Sequence, residues 1–127
     1  MNNVKEMRAL ILQEADGGKI LEVKLTGKIT SDDYDEFVPR VENLVKEHGK
    51  IRMLVEMHDF HGWTAAAVWR DIKFDAKHFR DIERIALVGE TKWQHGMAAV
   101  CKPFTAAKVR YYDRADLGEA RAWLMSP

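Results

Sequence analysis

The chain has one cysteine, Cys101, among its 127 residues. That excludes an internal disulfide and any zinc cage built from several thiolates. A reducing cytoplasm is the expected setting. No apolar run approaches the roughly 18–20 residues that a membrane-spanning helix requires. The opening stretch Met1-Asn2-Asn3-Val4-Lys5-Glu6-Met7 has no apolar signal core, so export is not expected. Neither sign of charge is in excess, because twenty Lys and Arg balance twenty Asp and Glu. No net field therefore favours nucleic acid or an anionic membrane surface. The Gly-x-Ser-x-Gly elbow, the phosphate-binding P-loop and the dinucleotide glycine pattern are all missing. With 46% hydrophobic and 31% charged residues, a globular domain is expected rather than a disordered chain. The length suits one domain over residues 1–127, with no repeat or linker.

What is present reads as alternating strands and helices. Residues 7–14 and 20–26 are short runs around Asp16-Gly17-Gly18-Lys19, a sequence suited to positive φ, so a β-hairpin ending at Gly27 is expected. Thr30-Ser31-Asp32-Asp33 offers caps for a helix carrying Tyr34, Phe37, Val41 and Leu44 at helical spacing. Pro39 should kink or divide that helix, and Gly49 should close it. Residues 51–57 form a buried strand, followed by a polar turn, residues 58–64, and a helix over 64–80. On that helix Ala65, Val68, Trp69, Ile72, Ala76 and Phe79 make one apolar stripe, which should face the core. Phe74, Ala66 and Ala67 fall off it. A strand over 82–88, a helix over 91–102, an edge strand over 107–112 and a last helix entered at Asp116 and Glu119 complete the pattern. The order β-β-α-β-α-β-α-β-α gives a mostly parallel five-stranded α/β sheet with one antiparallel edge hairpin.

The 58–64 turn concentrates the potentially reactive groups. Glu56, His58, Asp59 and His61 lie at or beyond the carboxyl end of a central strand, where α/β crevices commonly open. Two imidazoles and two carboxylates could in principle hold a metal or move protons. The two histidines lack a third ligand at a recognisable spacing, and bonds from Asp59 and the histidines to the turn backbone account for them. No metal, no cofactor and no catalytic set is therefore assigned. Cys101 lies on an apolar helix with no base on its face, and reads as a buried thiol. Thr64 and Thr91 are explained as ordinary helix caps.

The apolar signal is stronger. Residues 63–79 and 93–104 hold Trp63, Trp69, Trp93, Phe74, Phe79 and Phe104, three of the four tryptophans and three of the five phenylalanines. Two helices need one apolar face each to cover a sheet, so the surplus points to a ligand crevice or a dimer contact. Met97 adds an adaptable side chain.

Five pieces resemble the SpoIIAA-like (STAS-type) superfamily, and its stand-alone bacterial branch most closely. They are Gly27-Lys28-Ile29-Thr30, residues 48–54, Asp59-Phe60-His61-Gly62-Trp63, residues 83–89 with Lys92-Trp93, and residues 119–124. In anti-sigma-factor antagonists of this superfamily the turn after the third strand reads Asp-Ser-Ser-Gly, and a serine there is phosphorylated. Matching Asp59 and Gly62 puts Phe60 and His61 at the serine positions, so that switch has no acceptor here. The branch implies an apolar, lipid-like ligand between the two central helices. The expectation is a non-enzymatic binding module for a small apolar ligand between helices 64–80 and 91–102, lined by Trp63, Trp69, Ile72, Trp93, Met97 and Phe104. The alternative is a regulatory docking surface built from His58, Asp59, His61, Thr64 and Phe74, with homodimerisation compatible with either. A weak metal or acid–base site at the turn is the third reading.

Overall fold

A computed structural model describes residues 9–78, 80–89 and 107–127. The hairpin forms as expected. Strand β1 (Leu10–Ala15) pairs antiparallel with β2 (Ile20–Ile29), with Leu10 opposite Leu25 and Ala15 opposite Ile20. Between them Asp16, Gly17 and Gly18 all take positive φ, which the Asp-Gly-Gly sequence tolerates. β2 then runs parallel to β3 (Ile51–Trp63), β3 to β4 (Ile82–Gly89), and β4 to β5 (Lys108–Asp113). The strand order is β1-β2-β3-β4-β5, so each parallel connection joins adjacent strands and the antiparallel β1 forms one edge.

Helix α1 (Ser31–His48) links β2 to β3, and α2 (Ala65–Lys77) links β3 to β4. Both pack on one face of the sheet, over a core that includes Leu21, Val23, Ile29, Met53 and Met57. Helix α3 (Leu117–Met125) lies on the other face, where Ala120 and Leu124 meet Ile20, Leu54, Ala86 and Val88. β3 is thus buried on both sides, as its continuous apolar sequence implies. Each fully buried aliphatic side chain, such as Leu21 or Leu54, contributes about 1.5–3 kcal/mol. The expected helix over 91–102, with Trp93, Met97 and Phe104, lies outside the described residues, as does Phe79.

Several local expectations are corrected. Pro39 does not divide α1, which continues from Ser31 to His48. A proline costs one backbone bond, and packing of Tyr34, Val41 and Leu44 on the sheet offsets that loss. Gly27 does not end β2, and the expected 58–64 turn is strand for most of its length. β3 runs on to Trp63 and stays paired with β2 through Gly27–Phe60, Lys28–Gly62 and Ile29–Trp63, with register shifts at Gly27. Asp116 is not a side-chain cap for α3. Its φ of −105° and ψ of 22° belong to the preceding 3-10 turn rather than to the extended backbone a capping side chain needs.

The irregular end of β3 depends on two backbone positions, Asp59 at φ 51° and Gly62 at φ 104°. A Cβ on Gly62 would meet no atom within 4 Å, so any cost of adding one is conformational rather than steric crowding by neighbours. Gly62→Ala is expected to lower stability by about 1–3 kcal/mol in urea denaturation, whereas Asp59→Gly should stay within about 1 kcal/mol of the parent. Equal losses at the two positions would contradict the assignment.

Candidate functional site

The irregular pairing past Met57 turns the end of β3 inward. Phe60 is buried and meets Trp63 edge to face, with ring centroids 4.8 Å apart. The Trp63 indole Nε1–H donates to the Tyr34 hydroxyl at 3.1 Å, and that hydroxyl donates to Oδ1 of Asp71 at 2.7 Å. One short chain of hydrogen bonds therefore ties the end of β3 to α1 and α2. Each helix start beside it is closed. Thr30 and Asp33 form a capping box at α1, and the Thr64 hydroxyl accepts from the Ala67 amide of α2 at 3.1 Å.

Between this chain and the sheet lies a partly open crevice of about 120 Å³. Strand residues Val23, Leu25, Met53, Val55, Ile85 and Leu87 form its floor, and Tyr34, Phe37 and Phe74 line it from the helices. The Phe74 ring meets Phe37 at 5.0 Å and the His78 ring at 4.8 Å between centroids, tilted in both pairs. The described walls are apolar except for Asp33, Tyr34, Trp63, Asp71 and His78. An apolar cavity of about 150 Å³ stays dry and takes benzene, so this space is of a size to hold a small apolar molecule.

His78, at the end of α2, is only 8% exposed. Its Nδ1 lies 2.7 Å from Asp81 and its Nε2 3.1 Å from Glu42 of α1, while the Lys77 ammonium donates to the same Glu42 oxygen at 2.7 Å. These contacts fasten α2 to α1 at the far end of the crevice from Trp63. The hydrogen bond from Lys77, and then that from His78, hold the Glu42 carboxyl below its ordinary value of 4.5.

The sequence-derived candidates are distributed differently from expectation. Trp63 lines the crevice, but Trp69 is 58% exposed and Ile72 is half-buried, and neither is among its walls. Of the stripe expected to face the core, Ala65, Val68 and Trp69 are exposed instead. The inward face carries Ala67, Asp71, Phe74 and His78 instead. Phe74 is therefore a buried wall of the crevice, not an outward docking residue. Counting apolar residues selected the wrong face because the true inner face includes an aspartate and a histidine, both satisfied by hydrogen bonds. Tyr34 was legible as a core residue of α1, but its hydroxyl contacts join residues 29 and 37 positions away and have no sequence signature.

At the rim, His58 and Asp59 approach to 3.6 Å with both side chains largely exposed, and His61 is exposed as well. Glu56 instead approaches Arg114 at 3.9 Å, so the four polar groups do not converge. Among the described residues no group of three or more His, Cys, Asp or Glu is placed to hold a metal.

Because the Glu42 pKa is lower in the folded protein than in the unfolded chain, its ionised form favours folding. That contribution is present above about pH 4.5 and is lost as pH falls through the lower folded value. Glu42→Gln should therefore show a shallower loss of stability below pH 4.5 than the parent in denaturant midpoints measured against pH. Identical acid limbs would contradict the contact.

Comparisons with known proteins agree with this architecture. A crystal structure of an uncharacterised DUF3478-family protein with a SpoIIAA-like fold, from Shewanella loihica PV-4, is 27% identical. The match covers 91% of this chain and 92% of that one, with a TM-score of 0.74. The anti-sigma factor antagonist SpoIIAA in its unphosphorylated form matches with a TM-score of 0.57 at 8% identity, over 90% of this chain and 98% of that one. At that identity the likeness shows the fold alone. No curated protein matches the chain. None of the described helices is long and apolar enough to cross a membrane. The SpoIIAA-like family model matches residues 20–125, the span that holds β2 to α3, and the chain belongs to the SpoIIAA-like family.

Proposed function

We propose that this protein is a non-enzymatic binding module for a small apolar or amphipathic ligand held between the sheet and helices α1 and α2. The partly open, largely apolar crevice of about 120 Å³ carries this reading. A well-packed core leaves few voids larger than a water molecule, so such a space lined by aliphatic and aromatic groups is a natural receptor. The site differs in place from the one expected from sequence, which lay between helices 64–80 and 91–102. Trp63 belongs to both versions.

A second reading is favoured by a separate observation. Val68 and Trp69 are exposed on the outer face of α2, immediately after the β3 rim, and the Trp69 ring carries the Lys73 ammonium at 5.7 Å. Exposed tryptophan is characteristic of protein-docking surfaces, so this face supports a regulatory interaction role for a SpoIIAA-like module. Phe60 and His61 occupy the positions at which the anti-sigma-factor antagonists carry serines, so such docking would not be switched by phosphorylation there.

The two readings separate experimentally. Native mass spectrometry and organic extraction of the purified protein should reveal apolar molecules, and hexan-1-ol should bind it. Val55→Phe, which fills the crevice floor, should weaken hexan-1-ol binding by about tenfold or more, a difference of about 1.4 kcal/mol. Trp69→Ala should leave that binding unchanged. Repeated absence of extracted molecules together with no hexan-1-ol binding would overturn the ligand reading.

A further inference from the structure

His78 lines the end of the crevice away from Trp63, and its ring is gripped on both edges. Nδ1 lies 2.7 Å from Oδ2 of Asp81, in the turn before β4, and Nε2 lies 3.1 Å from Oε2 of Glu42 on α1. An ionised carboxylate only accepts hydrogen bonds, so both contacts are bonds at once only when both ring nitrogens carry protons. The hydrogen bond from Lys77, ahead of that from His78, holds Glu42 below its ordinary carboxyl range, which keeps it ionised and accepting. Among the described residues, the charged groups at the ring are these two carboxylates and, through Glu42, the Lys77 ammonium at 2.7 Å. With the ring buried, water does not readily replace a lost partner.

Removing one proton from the imidazolium leaves one nitrogen lone pair facing a carboxylate oxygen. The two contacts are unequal. That to Asp81 is the shorter and spans three residues, in a turn also closed by the Asp81 amide donating to the His78 carbonyl at 3.0 Å. That to Glu42 is longer, joins two helices, and shares its acceptor oxygen with Lys77. Nε2 is therefore the nitrogen that gives up its proton, and the bond lost is the one between α1 and α2. The His78 ring also meets Phe74, which meets Phe37, so this tie is continuous with the aromatic walls of the crevice.

We infer that His78 is a proton-operated clamp between α1 and α2, which holds the end of the crevice when the ring carries both protons and releases it when Nε2 loses its own. The clamp stands on the ring contacts alone, whereas its effect on a bound molecule rests on the ligand reading above. Glu42→Gln isolates the proton's part in it. A glutamine there offers its carbonyl to Nε2–H and an amide N–H to the bare nitrogen, so the tie finds a partner in either form of the ring.

The test follows the His78 ring nitrogens of the ligand-free protein by nitrogen-15 NMR from about pH 5 to 9, a span that contains the usual titration of histidine. Nε2 should lose its proton while Nδ1 keeps its own. Over the same titration the His78 amide, which donates to the Phe74 carbonyl at 2.9 Å, should become less protected from hydrogen exchange. After correction for the intrinsic pH dependence of exchange, that loss should be about threefold to tenfold, the worth of one hydrogen bond. Hexan-1-ol exchange, read from NMR line shapes, should quicken by a similar factor. In Glu42→Gln both changes should shrink to within about twofold. The clamp is overturned if the ring keeps one protonation state throughout, if Nδ1 loses its proton first, if protection does not follow the ring, or if Glu42→Gln retains the full pH dependence. If the ring and the amide behave as expected but hexan-1-ol does not bind, the ligand reading is overturned and the clamp stands.

Discussion

The hydroxyl of Tyr34 joins three segments that are distant in sequence. It accepts from the Trp63 indole at the end of β3 and donates to Asp71 on α2, while its own ring is buried on α1. A phenolic oxygen can do both at once because it has one proton and two lone pairs. Buried polar groups are costly unless they are paired, and here each partner's requirement is met by the next. The ring meets Phe37 edge to face at 5.7 Å, so apolar packing and hydrogen bonding fix the same side chain. Without that oxygen, the indole N–H and the Asp71 carboxylate would each lose a partner.

The crevice follows from this bridge. Helices on a sheet ordinarily close against it along their whole length. Here the polar contacts hold α1 and α2 together at two separated places, Tyr34–Asp71 near Trp63 and Glu42–His78 at the end of α2. Between those ties the facing groups are strand aliphatics and the Phe37 and Phe74 rings, and the space among them is left open. The irregular end of β3 completes the arrangement. Positive φ at Asp59 and Gly62 accompanies a register shift that places Phe60 in the core and Trp63 against the crevice. A regular strand would alternate strictly, sending the two residues to faces set only by parity. Asp59 and Gly62, part of the family resemblance in the sequence, thus have a conformational role independent of any phosphorylated serine.

The fold was legible because its signals are local or periodic. Asp16-Gly17-Gly18 marked the hairpin, the unbroken apolar sequence of β3 marked a strand covered on both faces, and Thr30 and Thr64 marked helix starts. The site was less legible for a physical reason. Its inward helix face includes Asp71 and His78, so a hydrophobic stripe count pointed to Val68 and Trp69, which are exposed. Placing a polar side chain on the inward face depends on partners from other elements, Tyr34 for Asp71 and Glu42 for His78, and such pairings do not appear in the spacing of one helix. Likewise, the polar run from His58 to Trp63 looked like a turn because Asp, His and Gly are common there, yet pairing with β2 keeps it in the sheet.

The central claim is that a small amphipathic molecule enters beneath α1 and α2, against Trp63, and not over the exposed face of α2. The most direct measurement is a nitrogen-15 NMR titration with hexan-1-ol that follows the indole N–H resonances. Trp63, bonded to Tyr34 and lining the crevice, should shift with saturation, whereas Trp69 and Trp123, which are outside it, should not. A saturable shift of Trp69 with Trp63 unmoved would contradict the account.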